Sequence, residues 1–361
     1  MGKPLYPQIR YCTRCCLPET TENIIFDDMG ICRGCISAEQ KMHINWKERE
    51  KKLRKILDSY RGKSPNGYDC IVPISGGKDS TFQLHILCNV YKMRVLTVTF
   101  NHNWFTETGR YNLQNALEKF NVDHIMFTPN RSLVNRLARH SLYKIGDPCW
   151  HCHAGVGAFP LSIAVKFKIP LLVWGESAAE HEGRFTYFEP VEYSADYFRE
   201  MSAKLTSCEM ANNEISKKEL RCFDNPTEEE LEGVGVYGIH LGNYIFWDGE
   251  RQVEFIKKEY GWKEADVENT YKRYKSVECI MEGVHSYAKY IKRGYGRSTD
   301  YASTDVRAGL LTREEGFELI EKLDTQRPKM LDHYLKISGL TEEEFVRVLK
   351  SLRKGKAKKL D

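Results

Sequence analysis

The stretch Y-D-C-I-V-P-I-S-G-G-K-D-S-T-F-Q-L, Tyr68 to Leu84, decides the fold. Ile71, Val72 and Ile74 make a short apolar run of the kind a buried parallel strand shows. Ser75-Gly76-Gly77 breaks that run, and the segment from Thr81 to Tyr91 has helical spacing of Phe82, Leu84, His85 and Leu87. A strand, a glycine turn and a helix start present bare backbone N–H groups to a phosphate. Two adjacent glycines remove the Cβ atoms that keep an oxyanion away. Ser75 and Ser80 are read as hydroxyl donors and Lys78 as positive charge at the rim. Asp79 is expected to cap the helix or to hold Mg²⁺ on the phosphates. The pattern G-x-x-x-x-G-K-[ST] is absent, so the loop is not a Walker A motif.

The chain around this loop has 361 residues, enough for one large α/β domain with small additions or for two domains. Hydrophobic residues at 41% and aromatics at 12% supply a sizeable core. A net charge of +4 is too mild to argue for a nucleic-acid partner. No signal peptide precedes the first cysteines, and no apolar run approaches the ~18 residues of a membrane span. The expectation is a soluble, cytoplasmic protein without a membrane partner. In that compartment the 12 cysteines read as metal ligands or core thiols rather than disulfides.

Residues 1–45 hold Cys12-T-R-Cys15 and Cys32-R-G-Cys35, with sixteen residues between the pairs. That spacing fits a zinc ribbon whose four thiolates close a structural tetrahedral site. Cys16 is the alternative to Cys15. Residues 46–67 read as an amphipathic linker helix and a loop. Residues 68–247 carry the alternation of a parallel sheet. A strand runs from Val95 to Phe100, a helix from Thr108 to Phe120, a strand from His124 to Phe127 and a helix from Leu133 to Tyr143. A further helix spans Gly155 to Lys168, and a strand Ile169 to Trp174. Phe100 and Asn101, at a strand's carboxyl end, are candidates for the nucleotide edge.

Between the predicted helices lies G-D-P-Cys149-W-H-Cys152-H, a second C-x-x-C. A redox pair, plain burial, and a metal or iron–sulfur site compete there, with His151, His153, Cys208, Cys222 and Cys279 as possible further ligands. Gly175-Glu176-Ser177 ends the next strand, where a carboxylate orients substrate, holds Mg²⁺ or caps a helix. Residues 178–235 are polar and irregular, with helix around Tyr197–Ala211. Residues 236–247 read as a strand or hairpin. Residues 248–361 are helical and amphipathic, with capping boxes at Thr312/Glu315 and Thr341/Glu344. Within them Lys292, Arg293 and Arg297 form a basic cluster suited to an anionic sugar nucleotide. The basic end, Lys350 to Lys359, reads as disordered.

S-G-G-K-D-S resembles the pyrophosphate loop of the PP-loop ATP pyrophosphatases. Together with Y-C-T-R-C-C-L-P-E-T, C-R-G-C, P-C-W-H-C-H, W-G-E and K-Y-I-K-R-G-Y-G-R-S-T-D, it resembles the N-acetyl sugar amidotransferase family (WbpG-type) nearly end to end. The resemblance implies an adenine nucleotide alpha hydrolase-like α/β domain with an N-terminal zinc ribbon and a helical C-terminal region. It implies ATP bound by Ser75, Gly76, Gly77, Lys78, Asp79 and Ser80, with Gly175 nearby. Lys78, Asp79 and Glu176 are then the catalytic candidates. The implied reaction turns an acetamido group of a nucleotide sugar into an acetamidino group, in bacterial surface-polysaccharide (O-antigen) biosynthesis. Ammonia would come from a glutaminase partner resembling the imidazole glycerol phosphate synthase pair. The alternative is a PP-loop tRNA thiolase with an iron–sulfur cluster at Cys149 and Cys152.

Overall fold

The computed structural model describes residues 2–180 and 185–360. Five strands form one parallel sheet in the order β3-β2-β1-β4-β5. They are β1 (Cys70–Pro73), β2 (Val95–Phe100), β3 (Asp123–Phe127), β4 (Leu171–Trp174) and β5 (Tyr237–His240). β2 is buried at every residue, as its run of β-branched and apolar side chains requires of a strand covered on both faces. β5 pairs parallel to β4, so residues 236–247 supply a sheet-extending strand and not a hairpin.

Helix α1 (Arg33–Met42) opens directly after Cys32, its N-cap. One face of the sheet is covered by α2 (Trp46–Tyr60), α3 (Lys78–Leu84) and α4 (Glu107–Phe120). Leu53 and Leu57 of α2 are fully buried with Val72, Leu84, Leu113 and Val173, so this helix is part of the sheet's core rather than a free connector. α3 runs on without a break into a π-helical turn, His85–Val90. After β3 comes α5 (Arg131–Ile145). On the other face of the sheet lies α6 (Trp150–Phe167), whose Leu161 and Ala164 pack on Ile71, Leu96, Val98 and Leu172. Helix α6 begins at Trp150, earlier than the pattern predicts. The second C-x-x-C is therefore not in a loop: Cys149 is the N-cap and Cys152 sits in the first turn.

The C-terminal helices pack on α5 around Leu142, Ile291, Tyr334 and Phe345. Thr312 and Glu315 form the expected reciprocal cap. At Thr341 only half of it is present: its hydroxyl accepts from the Glu344 N–H, while the Glu344 carboxylate accepts from the Tyr143 hydroxyl. The basic end is ordered, against expectation. Gly355–Leu360 forms a 3-10 turn that buries Ala357 and Leu360 against Ile9. Its charges misled the composition reading, because two apolar residues among them suffice to anchor a short segment. No helix among the described residues is long and apolar enough to cross a membrane.

Candidate functional site

The strand order reverses between β1 and β4, where an open parallel sheet leaves a crevice at its carboxyl edge. Two segments flank that point: Ser75 to Lys78 after β1, and Gly175-Glu176 after β4. Gly76 makes the first possible. Its φ is +80°, and a Cβ there would stand 2.6 Å from the Gly109 carbonyl and 2.7 Å from the Leu113 nitrogen. Its own carbonyl accepts from the Trp262 indole at 2.9 Å. The loop serines serve the loop: Ser80 Oγ donates to the Gly77 carbonyl at 3.1 Å, and Ser75 Oγ accepts from the Gly77 N–H at 3.3 Å. Gly77 is the N-cap of α3 and uses no side chain to cap it.

Lys78 is not at a rim. It is 2% exposed and pairs with the Asp79 carboxylate, which also accepts from the Trp247 indole at 3.2 Å. Asp79 therefore acts as the counter-charge of Lys78 and not as a helix cap. Gly175 lies beneath, where a Cβ would meet the Trp247 ring at 3.2 Å.

Above the loop opens a cavity of about 1140 Å³. Gly77, Lys78, Asp79 and Glu176 line it together with Lys275, Glu278, Lys292, Arg293 and Arg297. The sequence-predicted loop, strand-end and basic-cluster residues thus meet across one space. Arg297 pairs with Glu282 at 2.8 Å and Arg293 with Glu22 at 3.0 Å, which orients both guanidinium groups. Burial, helped by Arg293, pulls the Lys292 ammonium down to about 8. Phe100 and Asn101 are not on this wall. Phe100 packs against Phe127, Phe159 and Phe223, and Asn101 donates to Thr128 Oγ1 at 3.0 Å. They end β2, on the far side of β1 from the crevice.

Two cavity residues lay outside the sequence reading. Lys275 Nζ stands 3.9 Å from Glu176 Oε1, and Glu278 accepts from the Ser75 hydroxyl at 3.4 Å. Burial raises the Glu278 carboxyl above its ordinary value, and its Oε2 has no hydrogen-bond partner among the described residues. Both come from an irregular segment without periodicity and rich in other charged residues, so no sequence signal singles them out.

Cys12, Cys15, Cys32 and Cys35 are buried together, with Sγ–Sγ distances of 3.7–3.8 Å. A tetrahedral ion with thiolate bonds of about 2.3 Å has edges of about 3.8 Å, so the set is spaced for a metal. Hydrogen bonds from Cys15, Cys32 and Cys35 push the Cys12 thiol far down. Arg307 Nη2 lies 3.6 Å from Cys15 Sγ and 3.7 Å from Cys32 Sγ, opposing the negative charge the thiolates gather. Cys16 points away, toward the Arg313 carbonyl.

Cys149 and Cys152 join no group of metal-ligand atoms among the described residues. Cys279 packs in the same core cluster, but burial raises all three thiols above the ordinary range, which favours the protonated form. Cys222 lies in another cluster, and Cys208 is exposed. His151 is a core residue, edge-on to Trp104 and 3.3 Å from the His102 carbonyl.

A five-stranded parallel sheet with a glycine loop at its switch point, a four-cysteine cluster and a helical C-terminal region make this an α/β protein. Residues 268–359 match the family described as LPS biosynthesis protein WbpG-like, C-terminal domain. An uncharacterized protein of Methanocaldococcus jannaschii is 24% identical over 91% of this chain and 99% of its own length. The structure of NMN synthetase from Francisella tularensis covers 63% of this chain and 99% of that one, at 14% identity and a TM-score of 0.29, too low to carry an argument.

Proposed function

We propose that this chain is an ATP-dependent amidotransferase that converts the acetamido group of a nucleotide-activated N-acetyl sugar to an acetamidino group. An amide carbonyl is a poor electrophile, and ammonia does not displace its oxygen unaided. The amide oxygen attacks the α-phosphorus of ATP and pyrophosphate leaves, giving an O-adenylyl imidate. Ammonia adds to the carbon, AMP departs with the oxygen, and the amidine remains.

In this reading the amides near Gly76 and Gly77 and the buried Lys78 hold the β- and γ-phosphates, where charge builds on the leaving pyrophosphate. Mg²⁺ would neutralise the same phosphates, with Asp79 and Glu176 as its carboxylate ligands. Lys275, Lys292, Arg293 and Arg297 hold the diphosphate of the sugar nucleotide. Glu278, raised by burial and beside the loop, is the candidate to take the proton that ammonia sheds. The four-cysteine set holds Zn²⁺ as a structural ion. Ammonia is supplied by a glutaminase partner, and the product serves bacterial surface-polysaccharide synthesis.

One observation carries the reading. The glycine-loop residues Lys78 and Asp79 share a single cavity with Lys275, Lys292, Arg293 and Arg297 of the WbpG-like region. Its volume of about 1140 Å³ lies just above the about 300–1,000 Å³ typical of a single small-molecule site. The test is mass spectrometry of nucleotide N-acetyl sugars after incubation with ATP and an ammonium salt. Exchange of one oxygen for NH with release of AMP is expected. ADP as the nucleotide product, or unaltered sugars across a broad panel, overturns the proposal.

A further inference from the structure

The geometry points to a second metal site, built from Asp147, His153 and His285 on the cavity wall. The three come from separate places in the chain. Helix α5 ends at Gly146, whose φ of +64° turns the chain so that Asp147 follows directly. His153 stands in the first turn of α6, and His285 in the helix Glu282–Arg293. Asp147 Oδ2 is 3.2 Å from His153 Nδ1, and Oδ1 is 3.4 Å from His285 Nδ1. One donor atom from each residue falls within 4.8 Å of the other two.

A simple hydrogen-bonded pair of imidazoles does not account for this. Both Nδ1 atoms are buried, yet neither meets the angular requirement of a hydrogen bond to any group among the described residues. Each Nδ1 has only its ion-pair contact with Asp147, whereas an ion placed between the three groups satisfies all of them. The two carboxylate–imidazole separations, 3.2 and 3.4 Å, are close to the edge of about 3.4 Å that a tetrahedral ion makes with ligands at about 2.1 Å. The backbone N–H of Cys149 donates to Asp147 Oδ1 at 2.7 Å and fixes the carboxylate, the kind of support that ligating carboxylates receive.

Two imidazoles and one carboxylate suit a divalent ion of the zinc, iron or manganese type rather than Mg²⁺ or Ca²⁺, which prefer oxygen alone. All three residues line the cavity, so the remaining coordination position opens toward whatever fills it. Three protein ligands and one open position is the arrangement of a metal that meets substrate, in contrast to the closed four-cysteine set. In the P-C-W-H-C-H motif it is therefore the last histidine, and neither cysteine, that ligates. This inference does not rest on ATP chemistry, since binding is measured without nucleotide.

The whole chain, freed of metal by a chelator, is titrated with Co²⁺ and followed by absorption. Two equivalents are expected, one with thiolate-to-cobalt charge transfer and one with ligand-field bands only. His285→Gln and His153→Gln should each weaken the second equivalent at least tenfold and leave the thiolate bands intact, which also shows that the fold is retained. Cys32→Ser should remove the thiolate bands and spare the other equivalent. A single equivalent in the unaltered chain, or a second one indifferent to both histidine substitutions, overturns the assignment.

Discussion

Glu278 rests directly on the glycine loop: its carboxylate accepts from the Ser75 hydroxyl at 3.4 Å, and its Cα would stand 2.5 Å from a Cβ placed on Gly109. The first turn of α4 is thus shaved to glycine so that an acid from the C-terminal half can reach the loop after β1.

That contact separates stability from activity. Burial holds the Glu278 carboxyl above its ordinary 4.5, so folding favours its protonated form. Its contribution is fully present below the unfolded value and is lost as pH rises through the folded one. Glu278→Gln should therefore raise the melting temperature at pH 8 and lose that advantage at pH 4. The same substitution should cut AMP release by about 10²-fold or more if the carboxylate takes a proton. Calorimetry at the two pH values and a steady-state assay check the two halves.

Lys78→Met should reduce ATP-dependent AMP release by about 10²–10³-fold, the usual cost of one preorganised charge-stabilising donor. Circular dichroism should show the helices unchanged. Full turnover in the variant would remove the loop from the chemistry.

Gly76→Ala tests the backbone itself. A positive φ costs an ordinary residue about 1–2 kcal/mol, and the added Cβ meets two backbone atoms below 3 Å. Loss of nucleotide binding together with a lower melting temperature is expected, by fluorescence titration and thermal melting.

Lys292 predicts a proton coupling. Burial and Arg293 hold its ammonium down to about 8 from 10.5, so its contribution is present above the unfolded value and is lost as pH falls through about 8. Lys292→Met should stabilise the empty protein at pH 7. An anionic ligand at this wall should restore the charge, so binding near pH 8.5 should take up protons. Calorimetric titrations in buffers of different ionisation enthalpy read that uptake directly, and the variant should show none.

Much of this is legible in the amino-acid sequence itself. The five strands, their parallel pairing and the loop at Ser75 to Ser80 follow from apolar runs punctuated by glycine, where local pattern and tertiary burial agree. The N-terminal four-cysteine set follows from spacing alone. Phe100 and Asn101 do not line the cavity, since a strand's carboxyl end has two sides, and strand order, which periodicity does not encode, decides which side faces the crevice. Lys78 looked like a rim charge because sequence does not show that Asp79 and Trp247 fold over it. Lys275 and Glu278 escaped because irregular segments carry no period. Asp147 and His285, 138 residues apart in the chain, meet only through the packing of α5, α6 and a C-terminal helix.

Arg307 touches two sulfurs of the N-terminal cluster and also lines the cavity. Whether the four thiolates hold an ion is therefore felt beyond the N-terminal module. With the thiolates reprotonated, the guanidinium would lose its anionic anchors on the cavity wall.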